Sequence, residues 1–578
     1  MSYEKVKTET YEQLGGINTK VSAYVNGPQE FRDLSNLNFK TPGALTKRDG
    51  TTLYSGATVI GRITGGIEFE RLDGSSFIVA AANTNLYTVG AGFNAIRTSL
   101  ASGALFDFTV FVDRLFCANG TDWFKTDGTN SSLFGLPQGI VGFGATASAG
   151  GSLAAGIYVV GYGYKNDAGY LGPVSEGVTV TLAAANLAIT YYGMTTPTGF
   201  GVTNIALYRS AVGSIDMFGT TFITPASTTA VDPGYPIGTT VAPTGLYFTN
   251  APKYMEIYNN QLMVAGFSNL QSTLYWSDIG EPENIDPAFN AEFRTNDGDK
   301  ITGLKSYAGS CLVFKRRSFH RYTGDNPNDP LLQEISDQYG AGSNRAIVTF
   351  ENLCWFWDDQ KGIIEYNGAN ITVVSNKIEP LLNSVNITAA LDNAWALHVK
   401  RSNEIWFGFP CNGSTLINCI AVYDYFTQAW TKYEGLNLSS AWLGKGSLSD
   451  RSVIYGGYTG SIFNFGASYY GDSGQGITCY LDSRFYAVSG QTTERMYRRF
   501  YLDIDPVSGV TSALTCNFRS NYGSTIQFTE TMYQNPYQSR IDFGISARSI
   551  QAEVSHYSAS LPLKINGFAF ESRFQRPV

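Results

Sequence analysis

Seven stretches of this 578-residue chain repeat one unit: a polar turn, a short apolar run, a second turn rich in Gly, Asn or Asp, then an aromatic strand and a Gly. They are SSFIVAAANTNLYTVG (75–90), DRLFCANGTDWFKTDG (113–128), NQLMVAGFSNLQSTLYWSD (260–278), GSCLVFKRRSFHRYTG (309–324), NLCWFWDDQKGIIEYNG (352–368), NEIWFGFPCNGSTLINCIAVYDYFTQAW (403–430) and SVIYGGYTGSIFNFG (452–466). Their aromatic anchors are Tyr87, Phe124, Tyr275, Tyr322, Tyr366, Tyr423 and Phe463. Outside one long gap the anchors recur every roughly 37 to 57 residues, the period at which paired strands stack as blades. One hairpin cannot bury its own face, whereas a stacked ring of hairpins can. The repeat predicts an all-β chain built as a β-propeller of about seven blades, six to eight being the range, over a row of sandwiches in series.

Composition agrees with strands and tight turns: 14% of residues are aromatic, 15% are charged and 62 are Gly. Aromatic side chains suit a pleated, half-buried surface, and Gly supplies the positive φ of turns. Within the long gap, LAAGIYVVGYGYKNDAGYLGPVSEG (153–177) and TNIALYRS (203–210) alternate apolar and polar positions. Strand after strand with short turns predicts a small fibronectin type III-like sandwich inserted between blades two and three. GFGATASAGG (142–151) is expected as the linker into it. LTKRDGTTLYSG (45–56) is expected to close the ring against the last blade. After residue 476 the cadence gives way to longer alternating strands, read as a C-terminal β-sandwich. The expected order is thus 1–56 arm and closing strand, 57–137 first blades, 138–246 insert, 247–475 remaining blades and 476–578 sandwich.

Forty basic against 48 acidic residues give a formal charge of −8 and no basic run fit to neutralise a phosphate backbone. RRSFHR (316–321) and RMYRRF (495–500) are the only basic clusters with aromatics, and on strands each presents few charges to one side. The seven cysteines, Cys117, Cys311, Cys354, Cys411, Cys419, Cys479 and Cys516, lack metal-ligand spacing and read as free thiols of a reducing compartment. Cys411 and Cys419 can face each other across a hairpin without a bond. MSYEKVKTETYEQLGG carries no apolar core of a signal peptide, and no run spans a bilayer, so assembly in a cytoplasm is expected.

Catalysis finds little to work with. His320, His398 and His556 are the only histidines, and none lies in a nucleophile turn or beside a suitable Cys. His320 is expected as a half-exposed strand residue. A propeller glycosidase needs paired carboxylates, for which Asp297, Asp299, Asp358 and Asp359 are the candidates, all in Gly-containing turns that favour Asp for its own hydrogen bonding. DGDKIT (297–302) does not complete a calcium loop. No catalytic, cofactor-binding or metal-binding residue is therefore assigned, and no enzyme is expected.

Three stretches resemble the tail nozzle (tail tubular protein B) family of short-tailed double-stranded DNA bacteriophages. The first is LGGINTKVSAYVNGPQEFRDLSNLNFKTPGALTKRDG (14–50), with Asp49 where a Pro is commoner. The second is LYWSDIGEPENI followed by NDGDKITGLKSYAGSCLVFKRRSFHRYTG (274–324), and the third is AAGIYVVGYGYKNDAGYLGPVS (154–175). The resemblance implies a virion structural protein, assembled in the host cytoplasm, forming a homohexameric ring below the adaptor, or head-to-tail connector, and portal. It further implies docked fibres or spikes, a possible tail needle, and a lumen through which the genome passes without specific binding. The competing readings are a receptor- or carbohydrate-binding propeller and a glycosidase acting on host envelope polysaccharide.

Overall fold

The computed structural model describes residues 6–574 apart from 13, 23–24, 141, 185–186, 246, 287, 325–327, 446–451, 467–468, 488–491, 508–511 and 535–538. The ends of the expected arm and C-terminal sandwich, and the insert boundary at 246, lie outside the described residues. The chain is all-β. Among the described residues there are two α-helices, Glu379–Asn383 and Ile387–Asn393, 5 and 7 residues long.

Each aromatic anchor falls on the third strand of a different four-stranded antiparallel unit. Sheet 1 runs from Ile63–Glu70 to Phe93–Arg97, sheet 2 from Asp107–Phe111 to Ser131–Leu133, and sheet 3 from Tyr254–Tyr258 to Asn290–Glu292. Sheet 4 runs from Ile301–Tyr307 to Leu331–Ser336, sheet 5 from Ile347–Phe350 to Ile371–Val373, and sheet 6 from Trp395–Val399 to Ala429–Glu434. Sheet 7 has three strands from residues 440–466, and its fourth is Gly50–Leu53, which pairs antiparallel with Ile462–Gly466. Sheets 6 and 7 are stretches of one continuous 14-stranded sheet.

Turn chemistry sets the units. In sheet 3 the first two strands are joined by Asn259 and Asn260 alone, at φ 48° and 58°, the left-handed pair that matches strand twist. Val112 and Asp113 do the same in sheet 2 at φ 37° and 56°, although a β-branched residue is strained there.

Packing joins the units into a ring. Phe69, Leu86, Leu115 and Phe124 form a core between sheets 1 and 2. Trp123, Phe134, Leu262 and Phe267 fill the next, and Leu274, Trp276, Val313 and Tyr322 the one after. The sequence of cores continues round until Ile63, Ile78, Trp442, Ile454 and Ile462 pack sheet 7 onto sheet 1. Each fully buried aromatic or aliphatic side chain contributes about 1.5–3 kcal/mol by leaving water.

Between sheets 2 and 3 stands the insert. Gly144–Leu153, Leu187–Tyr192 and Thr229–Asp232 form one sheet, facing a second made of Val178–Leu182, Gly156–Asn166, Val202–Ser210 and Met217–Ile223. Tyr158, Tyr162, Tyr164 and Tyr191 fill the space between them. The glycine-rich stretch 142–151, expected as a linker, is instead largely the strand Gly144–Leu153. Gly there lets the chain pass the Tyr192 ring, since a Cβ on Gly144 would lie 2.2 Å from it.

The N-terminal segment is not a free arm. Val6–Glu12 pairs along Lys564–Phe574, Leu45–Lys47 joins the same strand, and Phe31–Ser35 pairs with Gln475–Ser483. Both sheets of the C-terminal sandwich thus contain strands from the first 50 residues, so residues 476–574 are not separate from the rest.

Candidate functional site at the centre of the ring

The carboxylates singled out in the sequence gather at the junction of sheets 4 and 5, but they are spent on one another's neighbours. Asp297 accepts from the buried Lys315 ammonium at 2.7 and 2.8 Å, and Asp299 accepts the Arg317 amide at 3.0 Å. Asp359 is clamped by Arg316, at 2.6 Å, and by Arg317. Asp358 takes the amides of Gly340, Gln360 and Lys361 at 2.8–3.1 Å. Burial raises Asp358; it also opposes the charge on Asp359, but the two guanidiniums outweigh it and hold that carboxyl below its usual range. The Asp358 and Asp359 side chains are 1% and 3% exposed, their oxygens turned onto these protein donors.

RRSFHR is neutralised by the same clamp, while Arg321 donates to the Tyr366 hydroxyl at 2.8 Å. In RMYRRF, Arg495 is buried against Ser572 and Arg499 pairs with Asp542 and Glu571. His320, expected half-exposed, is buried at 5% because its ring packs beside Phe293. His398 lies in sheet 6 against Phe350, and His556 lies in the C-terminal sandwich, 2.6 Å from the Ser512 hydroxyl. Burial drives His556 down to about 4. All seven cysteines are free and buried, and the Cys411 and Cys419 thiols face each other. Among the described residues no group of three or more His, Cys, Asp or Glu is placed to hold a metal ion.

A different cluster occupies the ring's centre, built from residues just ahead of, or opening, the first strand of several sheets. Asn344 and Arg345 belong to a single 3-10 turn before sheet 5, and Asp392 and Asn393 end the helix before sheet 6. Asn344 donates to Asp107 of sheet 2 at 3.1 Å, and Arg345 donates to the Thr64 carbonyl of sheet 1 at 3.2 Å. Arg62 reaches Asn393 at 2.9 Å, and Lys253, ahead of sheet 3, lies 3.7 Å from Asp392. None of these contacts joins adjacent sheets, so together they span the ring's centre. Gly303 makes room for this: a Cβ there would come within 2.8 Å of the Asn344 side-chain oxygen.

The electrostatics at this mouth are unusual. Burial raises Asp107 to about 7, with the Met255 amide opposing and Glu256 adding to the rise. Burial, then the neighbouring Arg62, lowers Arg345 to about 10. Sequence reasoning missed this cluster. The available signal was a polar or charged residue at the entry to unit after unit, Arg62, Asp107, Lys253, Asn344 and Asp392.

A second buried polar cluster ties the insert to the ring. Lys125 of sheet 2 pairs with Glu283, in the turn after the third strand of sheet 3, and both are at most 2% exposed. Glu283 also accepts from Asn166 of the insert at 3.1 and 3.2 Å and from the Gly135 amide at 2.8 Å. One carboxylate thus joins three separate parts of the chain.

No family model matches the chain, and no curated protein matches it. Among solved structures, BBS1N in complex with ARL6DN is 11% identical, with 73% of this chain and 98% of that chain covered, at a TM-score of 0.27. The AfRom2 CNH domain is 8% identical over 63% of this chain and 96% of its own, at 0.23. An exo-beta-1,3-galactanase from Phanerochaete chrysosporium is 7% identical over 89% of this chain and all of its own, at 0.18. Likenesses this distant carry no functional argument for the chain.

Proposed function

We propose that the seven sheets are the blades of a β-propeller and that the chain is a structural subunit of a phage tail nozzle. Six copies form a ring below the adaptor and portal, conduct the genome through the shared lumen, and dock fibres or spikes. The resemblance of residues 14–50, 154–175 and 274–324 is the origin of this reading. The observation that best supports it is the Lys125–Glu283–Asn166 junction, which holds the inserted sandwich as a fixed projection. Closed cyclic assemblies with head-to-tail contacts need two different patches on each subunit, and a rigid appended module is a natural donor of one. The clamped state of Asp297, Asp299, Asp358 and Asp359 speaks against the glycosidase alternative. With the centre of each ring crossed by Asn344, Arg345 and Arg62, the genome path belongs between subunits, on the assembly's symmetry axis.

The test is the mass of the purified protein in solution, alone and mixed with its adaptor–portal assembly. Six copies added per assembly is the expected result. A stable monomer or trimer that ignores the portal overturns the reading.

A further inference from the structure

Arg345 and Arg62 stand at the centre of the ring without a carboxylate within ion-pair distance among the described residues. Arg345 uses one donor on the Thr64 carbonyl, and Arg62 spends its donors on the Asn393 side chain and the Gly103 carbonyl. Every hydrogen bond either guanidinium makes here is to a neutral oxygen. Two other enclosed guanidiniums are each answered by a carboxylate, Arg48 by Asp472 and Arg209 by Asp232. A charge surrounded by protein is costly unless it is paired. Arg345 keeps part of its surface exposed, although protein closes round it, as befits a group on the wall of a funnel.

The funnel is lined by Phe106, Asp107, Tyr254, Asn344, Arg345 and Asp392, with Lys253 at its rim. Its two carboxylates do not pair with the guanidiniums. Asp392 lies beside Lys253, and Asp107 accepts from the Met255 amide and the Asn344 amide nitrogen. Burial raises Asp107 to about 7, so at neutral pH it opposes an incoming anion with only part of a charge. Lys253 and Arg345 formally balance these two carboxylates, but among the described residues Arg345 itself has no ion-pair partner, which leaves its guanidinium open to an anion.

We propose that this central funnel is a binding site for a small oxyanion, a phosphate or a carboxylate group, held by the free N–H donors of Arg345 with Arg62 behind it. A planar guanidinium offers the forked geometry that two oxygens of such an anion need, and enclosure strengthens each charge-assisted bond. The proposal concerns one chain and is independent of how many chains assemble.

The experiment is thermal unfolding of the full chain with inorganic phosphate, and in a second arm acetate, added at millimolar concentration in place of chloride at equal ionic strength. A ligand at about 100 times its Kd stabilises by roughly 2.7 kcal/mol, which moves the midpoint by degrees. Phosphate also stabilises proteins non-specifically, so the comparison is with Arg345→Gln at the same concentrations. A midpoint rise in the wild type with either anion, absent from Arg345→Gln, supports the site, and the anion that produces it tells phosphate from carboxylate. Equal rises in wild type and variant, or no rise with either anion, overturn it. If Arg345→Gln does not fold, Arg62→Gln carries the same comparison, with the rise expected to fall at least several-fold.

Discussion

Arg48 forks its guanidinium onto Asp472, with Nη1 at 3.0 Å from one carboxylate oxygen and Nη2 at 2.5 Å from the other. Its Nε donates to Asn36 at 2.8 Å, and the side chain is 1% exposed. Asp472 lies in the hairpin that pairs with both the closing strand Gly50–Leu53 and the sandwich strand Gln475–Ser483. This one ion pair therefore sits where ring closure and the C-terminal sandwich meet. Asp472→Asn leaves a buried cation short of its counter-charge, which costs about 3 kcal/mol. The expected result is a lower unfolding midpoint with faster hydrogen exchange in residues 50–53 and 471–483. Unchanged exchange there would show that the pair does not hold the junction.

Lys125→Met strands Glu283 in a site where both partners are at most 2% exposed. The single change is expected to cost about 3 kcal/mol, and the double change Lys125→Met with Glu283→Gln to recover much of it, because it leaves no fully buried charge unpaired, only the part-exposed Asp167 that lies 3.6 Å from Lys125. Limited proteolysis is the readout. Cleavage between the insert and sheets 2 and 3 should accelerate in the single variant and return towards the wild-type rate in the double.

The hairpin cadence was legible because each unit repeats the same turn-and-aromatic chemistry, and Tyr87, Phe124, Tyr275, Tyr322, Tyr366, Tyr423 and Phe463 each mark one third strand. The insert was legible as a break in that spacing, and Gly50–Leu53 as a strand between turn residues. The sandwich strands of residues 6–47 were not. Val6 pairs with Arg573, and the polar strand VKTETYE carries no apolar alternation to announce a partner at the far end of the chain. The central funnel was hidden for a related reason. Asn344, Asp107, Arg345 and Arg62 meet only because the ring brings distant loops together, and singly each is an ordinary polar loop residue.

Glu404 gives the ring a pH dependence with a definite sign. Burial raises its carboxyl to about 7, although the Trp406 indole, the Ser402 hydroxyl and the Tyr433 hydroxyl all donate to it at 2.8–3.0 Å. In the unfolded chain the group titrates near its ordinary value, so between roughly pH 4.5 and 7 the folded state holds the extra proton. Its contribution is therefore absent below that window and becomes destabilising as pH rises through it, by about 3 kcal/mol in all. Glu404→Gln should remove this part of the slope, leaving stability nearer level from pH 5 to 8 in denaturant melts. A variant with the wild-type slope would assign the pH dependence elsewhere.

Ring closure itself can be tested at one glycine. Gly66 lies in the first strand of sheet 1, and a Cβ there would meet the Trp442 ring of sheet 7 at 2.6 Å. Trp442 is buried in the core between the last and first sheets, so it has little room to retreat. Overpacking of this kind costs about 1–3 kcal/mol. Gly66→Ala is expected to lower the unfolding midpoint and to loosen exchange in residues 440–444 first, because the seam opens before the individual sheets do. Trp442→Phe alone removes contacts and costs stability as well. Combined with Gly66→Ala, however, it clears the clash, so the double variant should lose less than the two single losses together. Simple additivity would mean that the two side chains do not compete for the same space, and that the seam between sheets 7 and 1 is not where Gly66 matters.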